Sequence, residues 1–369
     1  MAGGTSVDQV RILFALPGLH RVDRGAEIAF ISIARELARI GHDVTLLGSG
    51  PERPTEPYRY LRASAIRRER FERYPKIPTL RGETSWEEAS FLPGLLMRFR
   101  PADYDVTVTC AYPFTNWGLR RPTLGRRPKH VFVTQNGDWA AWSDDAEFRL
   151  FGCDGLVCTN PDYLKRNRER YRAALIPNGV DTSRFRPGEA DRAAFGLPAG
   201  APIVLMVSAL IASKNVREGV AAVATHPDAV LVVAGDGPLR TEIHELASRL
   251  LPDRYVNLTV SADRMPDLYR AADVFLHLSV DESFGNVFLE AMASGLPVVA
   301  FESDRTRWIV GDCALFADRI DPASLPAMID RALREKTALR DAMCQRAQSF
   351  GWPAIATQYS DFFKSLLTA

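Results

Sequence analysis

Ten short apolar runs, mostly β-branched, punctuate the chain. In the first half they are VRILFA at 10–15, VTLLG at 44–48, VTVTC at 106–110, HVFVTQ at 130–135 and LVCT at 156–159. In the second half they are IVLMVS at 203–208, VLVVAG at 230–235, VNLTVS at 256–261, VFLHLS at 274–279 and PVVAF at 297–301. The runs are continuous rather than alternating, which is the pattern of strands covered on both faces in a parallel sheet. Between them lie amphipathic stretches such as AEIAFISIARELARIG at 26–41, whose aliphatic stripe and closing glycine predict a helix. Strand and helix in alternation predict right-handed βαβ units and an α/β fold of doubly wound sheets.

The pattern breaks once. Residues 175–202, LIPNGVDTSRFRPGEADRAAFGLPAGAP, are rich in Pro, Gly and Asp and carry no long apolar period, so they read as an interdomain connection. Two domains are also expected because 369 residues exceed the roughly 250–300 at which a single core tends to split. The expected division is an N-terminal Rossmann-like domain at 1–180, a second at 181–350, and a C-terminal helix at 351–369 packing back on the first. Two further helical stretches are predicted at 323–335 and 337–348. Two such domains facing each other would leave a central cleft at the carboxyl ends of their strands, where ligands bind in sheets of this kind.

Composition narrows the function. Hydrophobic residues at 46% and charged residues at 25% are ordinary for a folded protein. A net charge of +1 and a pI near 7.7 exclude a dedicated nucleic-acid binder. The first 177 residues hold 27 basic and 21 acidic side chains, the remainder 19 and 24. The excess gathers at Arg67, Arg68, Arg70, Arg73 and Lys76 and at Arg120, Arg121, Arg126, Arg127 and Lys129. This is either a solvated face or a surface for an anionic acceptor or peripheral membrane contact. Cys110, Cys153, Cys158, Cys313 and Cys344 are odd in number and scattered among apolar residues, the pattern of reduced thiols, and they show no zinc spacing. No stretch approaches the roughly 18 apolar residues of a membrane span, and the start runs into a strand pattern without a signal-peptide core, so a cytoplasmic protein is expected.

The most informative stretch is HLSVDESFGNVFLEAMASGLPVVAF at 277–301. A strand ends in an acidic loop, and a helix starts near Gly285 and stops at Gly295. A helix start offers unpaired N–H groups and the positive end of the dipole, suited to phosphate or hydroxyl oxygens. Glu282 sits at that mouth and Glu290 about one and a half turns inside. Glu290 either pairs with a basic neighbour or accepts hydrogen bonds from a diol such as a ribose.

DESFGNVFLEAMASGLPVV resembles the signature of the retaining GT-B glycosyltransferases, in particular the large family 4 group, with its E-x7-E element and EAMA-x-G-x-PVV run in register. IPNGVDTSRFRP at 176–187, VVAGDGPLRTEI at 232–243, ADRMPDLYRAADVFLHLS at 262–279 and residues 24–47 are similar to other family elements in the family's order. The resemblance implies GT-B architecture and a hexosyl transfer from a nucleoside diphosphate sugar to an acceptor that is a small molecule, glycan or lipid-linked sugar, without metal or cofactor. It implies that Glu282 approaches the donor sugar. The backbone at Phe284, Gly285, Asn286 and Val287 would hold sugar hydroxyls and the distal phosphate, and Glu290 would grip the ribose. Lys214 would neutralise the departing diphosphate, where negative charge develops. Ser208 lies in the same loop, and Ser261 and Met265 mark the expected base pocket. Gly18 and Gly25 would let the first domain's backbone approach the diphosphate.

Two departures stand out. Where the family has an arginine five residues before the lysine, this chain has Ala209, so Lys214 acts alone, Arg217 or a residue of the other domain substitutes, or the chain handles an unusual donor. Where the family offers a histidine after a strand of the first domain, this chain has Asn136, which can hydrogen-bond a sugar but is no base. Asp138 is then the candidate proton acceptor, or a structural turn residue. Among six histidines only His20 lies near the first glycine loop. A GT-B enzyme performing hydrolysis or pseudoglycosyl transfer, and a non-catalytic nucleotide-sugar-binding protein, are the alternatives; an oxidoreductase would need the dinucleotide glycine fingerprint that the chain lacks.

Overall fold

In the computed structural model, which describes residues 9–279, 282, 284–318 and 322–368, the chain divides into two compact units. One runs to Asn178 and resumes at Trp352; the other is Gly179–Gly351. The first eight residues, and Val280, Asp281 and Ser283 of the stretch at 277–301, lie outside the described residues.

The first unit holds β1 (Arg11–Ala15), β2 (Asp43–Gly48), β3 (Arg59–Arg62), β4 (Val106–Thr109), β5 (Lys129–Val133), β6 (Gly155–Cys158) and β7 (Ala173–Leu175) in one sheet of order β3-β2-β1-β4-β5-β6-β7. The second holds β8 (Ile203–Val207), β9 (Val230–Ala234), β10 (Tyr255–Leu258), β11 (Val274–His277), β12 (Val298–Phe301) and β13 (Leu315–Ala317) in the order β10-β9-β8-β11-β12-β13. Every pair is parallel, for instance Val108 beside Val131 and Leu205 beside Phe275. Both orders are doubly wound, reversing direction between β1 and β4 and between β8 and β11. The strands absent from the apolar pattern are β3, β7 and β13, each only three or four residues long. β3 reads RYLR and has no fully buried residue, so its hydrophobic signal is weak.

The helices of the first unit are α1 (Gly25–Arg39), α2 (Glu83–Arg98), α3 (Phe114–Leu119), α4 (Trp139–Trp142) and α5 (Pro161–Asn167); those of the second are α6 (Val216–Ala224), α7 (Arg240–Leu250), α8 (Met265–Ala271), α9 (Asn286–Ala293), α10 (Asp304–Val310) and α11 (Leu325–Gln348). α11 is a single helix where the sequence suggested two. Nothing at Glu335-Lys336-Thr337 breaks it: Arg331 pairs with Glu335 one turn away, and Lys336 reaches the buried Asp273.

The last helix, α12 (Trp352–Leu367), belongs to the first unit. Its Ile355, Tyr359 and Phe363 are buried in one cluster with Phe30 and Ile33 of α1 and Ile12 and Phe14 of β1. Each such side chain contributes roughly 1.5–3 kcal/mol through removal from water. Polar ties fix the register: His42 Nε2 lies 2.8 Å from Ser360 Oγ, and Arg172 donates to the Ser365 carbonyl at 2.8 Å. Gly155 on β6 passes close beneath, where a Cβ would come within 2.7 Å of Leu366.

Candidate functional site

In doubly wound sheets the crevice lies outside the carboxyl ends of the two strands where the order reverses. In the second unit those strands are β8 and β11, and both candidate charged residues leave from them. The loop after β8 passes close to the β9 exit, where Gly235 has φ +154 and a Cβ would fall 1.9 Å from the Ser208 carbonyl. Ser208 Oγ is enclosed there without a hydrogen-bond partner, and Ala209 is exposed. The loop ends at Asn215, in the left-handed region at φ +49, whose amide nitrogen donates to the Leu278 carbonyl at 2.8 Å. That bond ties the β8 loop to the end of β11.

Lys214 Nζ is therefore delivered to the β11 exit. It donates to Ser279 Oγ at 3.1 Å and pairs with the Glu282 carboxylate, both side chains largely withdrawn from water. His277 Nε2 lies 2.9 Å from the same Glu282 Oε1, its ring edge-on to Phe288 and stacked near Phe275. Arg305, on the first turn of α10, donates to the Glu282 carbonyl. Desolvation alone would raise the Glu282 carboxyl, but the hydrogen bonds and charges of His277 and Lys214 prevail and hold it down at about 2. Glu282 is thus a fixed anion at neutral pH.

Glu282 stands just before α9. Gly285 caps that helix at φ +92, with Phe288 where a Cβ would lie. Phe284 is buried in the core, so the mouth offers backbone rather than its ring. Further in, Tyr269 of α8 donates its hydroxyl to Glu290 Oε2 at 2.9 Å. Desolvation, only partly offset by that bond and by the Arg184 charge, pushes the Glu290 carboxyl up to about 7. Two glutamates eight positions apart thus have opposite states, one an anion and one half protonated near neutrality, because one is paired with Lys214 and the other accepts only from a neutral hydroxyl.

The structure brings Ser208, Lys214, Glu282 and the α9 start to one end of the second sheet. Ser261 is exposed in the turn after β10, and Met265, the first residue of α8, packs partly on the core. Arg217 pairs with Glu242 at the surface.

In the first unit the expected roles change. A Cβ on Gly18 would fall 1.9 Å from Glu27 Oε1 and 2.8 Å from Val22. The absence of a side chain at Gly18 makes room for the Glu27 carboxyl. Gly25 simply opens α1. His20 is buried between the Pro51 carbonyl and the Tyr58 hydroxyl, both at 2.9 Å, and serves the fold. Asn136 is exposed after β5. Asp138 is no proton acceptor in this arrangement: at 1% exposure it takes hydrogen bonds from Arg166 at 2.7 and 3.0 Å, Asn167 at 2.8 Å and Trp142 at 3.1 Å. Residue reasoning missed His277, Tyr269 and Arg305. The signal for His277 was a histidine inside an otherwise apolar run; Tyr269 and Arg305 carried none.

Among the described residues no group of three or more His, Cys, Asp or Glu side chains is arranged to hold a metal ion, and no helix is long and apolar enough to cross a membrane.

Two Rossmann-like domains with a cation, a carboxylate and a helix mouth at the switch point of the second define a GT-B glycosyltransferase. Solved structures share the fold: sucrose-phosphate synthase from Thermosynechococcus elongatus superposes with TM-score 0.77 at 23% identity, covering 97% of this chain and 99% of that one. HepE from Anabaena, solved in complex with UDP-glucose, does so with TM-score 0.70 at 19% identity, covering 96% and 100%. The chain belongs to the family 4 glycosyltransferases: residues 188–350 match the family described as glycosyl transferases group 1, and residues 24–184 match glycosyltransferase family 4. The lipopolysaccharide core biosynthesis glycosyltransferase LpsE of Rhizobium meliloti is 26% identical over 332 residues, 88% of this chain and 89% of its own length.

Proposed function

We propose that the protein is a retaining, metal-independent hexosyltransferase. The second unit holds a nucleoside diphosphate sugar, and the first receives a hydroxyl-bearing acceptor. The observation that carries this reading is Lys214, fixed by the β8 loop beside Ser279 and Glu282 at the mouth of α9. One cation beside the positive end of the α9 dipole suits the diphosphate of a departing nucleotide, where charge builds as the glycosidic bond breaks. Glu290 with Tyr269 offers acceptors for the ribose diol. The sugar C1–O bond breaks, the acceptor oxygen bonds to C1 on the same face, and the acceptor proton passes to a leaving-phosphate oxygen. Glu282, a permanent anion, orients Lys214 and stabilises positive charge on the sugar ring.

That the HepE structure contains UDP-glucose supports a nucleoside diphosphate hexose as donor class. Separate, unpaired cysteines fit a cytoplasmic site of action, and the basic segment from Arg67 to Lys76 fits an anionic acceptor or peripheral membrane contact. The test is a thermal-shift screen with UDP, GDP, ADP and TDP, followed by transfer from the matching hexose donor in EDTA. The product's anomeric configuration is then read by proton NMR. Stabilisation by one diphosphate and a product with the donor's anomeric configuration are expected. Stabilisation by none, or an inverted product, would overturn the reading.

A further inference from the structure

Beyond β5 in the first unit, the chain spends four strong interactions on holding one short turn. Asp138, next to the start of α4, is saturated by Arg166, Asn167 and Trp142. The Arg166 guanidinium also lies 5.6 Å from the Trp142 ring. Ala140 and Ala141 are buried in the cluster with Phe132 and Leu156. What this fixed turn presents outward is Trp139, 53% exposed.

The indole is held as well as displayed. Gly137, in the left-handed region at φ +112, is the only residue type that tolerates its position twice over. Its backbone favours glycine, and a Cβ would come within 2.5 Å of Trp139 Cη2 and Cζ3. The six-membered ring therefore lies against bare backbone. Large aromatic rings usually bury themselves, and one kept rigid and open at a sheet's carboxyl end is suited to a ligand with a flat apolar face. Its indole N–H, and the amide of the exposed Asn136 three residues earlier on the same loop, are hydrogen-bonding groups that a ligand could use.

We propose that Trp139 is a stacking platform for a pyranose ring of the acceptor, so that the acceptor is a sugar or the end of a glycan. A pyranose presents a face of slightly positive C–H groups to the negative face of an aromatic ring and a rim of hydroxyls to the amide and N–H groups around it. A lipid surface fits less well. Around this turn the exposed Asp144 and Asp145 are balanced by Arg166 and Arg170 against Trp142, so it lacks the basic excess that draws a protein to an anionic membrane. The inference rests on the glycosyltransferase reading above and names the acceptor class within it.

The experiment is saturation-transfer difference NMR on the full chain with methyl glycosides of glucose, galactose, mannose and rhamnose. It compares the parent with Trp139→Ala and Trp139→Phe. At least one methyl glycoside should receive saturation on one ring face from the parent protein. Its affinity should fall roughly three- to tenfold in Trp139→Ala and recover most of that in Trp139→Phe, the range that an aromatic contact supplies. No contact with any glycoside, equal contact in Trp139→Ala, or sedimentation with phosphatidylglycerol vesicles that depends on Trp139 would overturn the proposal. Thermal shift by nucleoside diphosphates is recorded on the same three proteins. A shift present in all of them alongside a failed glycoside result sinks the platform alone, whereas no shift in any sinks the donor reading.

Discussion

Glu290→Gln should make the protein more stable above neutrality while weakening its hold on a nucleotide. The glutamate is withdrawn from water and touched by one neutral donor, the Tyr269 hydroxyl at 2.9 Å, so its carboxyl moves from 4.5 to about 7. Between those values the unfolded chain has released this proton and the folded chain keeps it. The native state therefore loses relative stability as pH rises through that window, and the loss levels off above about 7. At about 1.4 kcal/mol per pKa unit the loss approaches about 3 kcal/mol. Glutamine keeps the shape and an oxygen to accept from Tyr269, and it has no proton to lose. Urea unfolding of parent and variant, followed by circular dichroism at pH 5, 6, 7 and 8, should show near-equal stability at pH 5 and a gap opening to about 3 kcal/mol by pH 8. Nucleoside diphosphate affinity should fall about tenfold or more at pH 8, the scale of a hydrogen bond to a charged group. A gap that does not change with pH, or a parent more stable than the variant at pH 8, would refute the account of Glu290 as an unpaired, desolvated acid.

Lys214→Ala should reduce turnover by about a hundredfold or more, since it removes the charge-stabilising donor at the sheet's carboxyl end; His277 stays paired with Glu282, so melting temperature should fall less than turnover, which steady-state kinetics beside thermal scanning separates. Asp138→Ala strips the partner from Arg166, Asn167 and Trp142 and should cost about 3 kcal/mol in chemical denaturation, where a catalytic base would have cost turnover without stability. Gly18→Ala should destabilise by about 1–3 kcal/mol because its Cβ meets Glu27, and a Glu27→Ala background should recover most of that. If Gly18 instead served a diphosphate, nucleotide affinity would drop and the Glu27 change would rescue nothing.

The sequence by itself determined the fold class, because uninterrupted apolar runs in strict alternation with amphipathic stretches admit little besides buried parallel sheets. It also displayed the acidic helix mouth, since Glu282, Gly285 and Glu290 lie on one continuous stretch whose geometry is local. It did not show the short strands β3, β7 and β13, whose three or four residues carry too little pattern. Nor did it show that α11 runs unbroken. Only the tertiary structure decided the company each charged group keeps. Lys214 and Glu282 are 68 residues apart and meet because β8 and β11 are neighbours at the switch point. Tyr269 finds Glu290 from another helix, Glu27 takes the space above Gly18, and Arg166 and Asn167 claim Asp138. Local periodicity is set by backbone hydrogen bonding and can be read along the chain; charge state and chemical role depend on through-space neighbours and on how much water the packing removes.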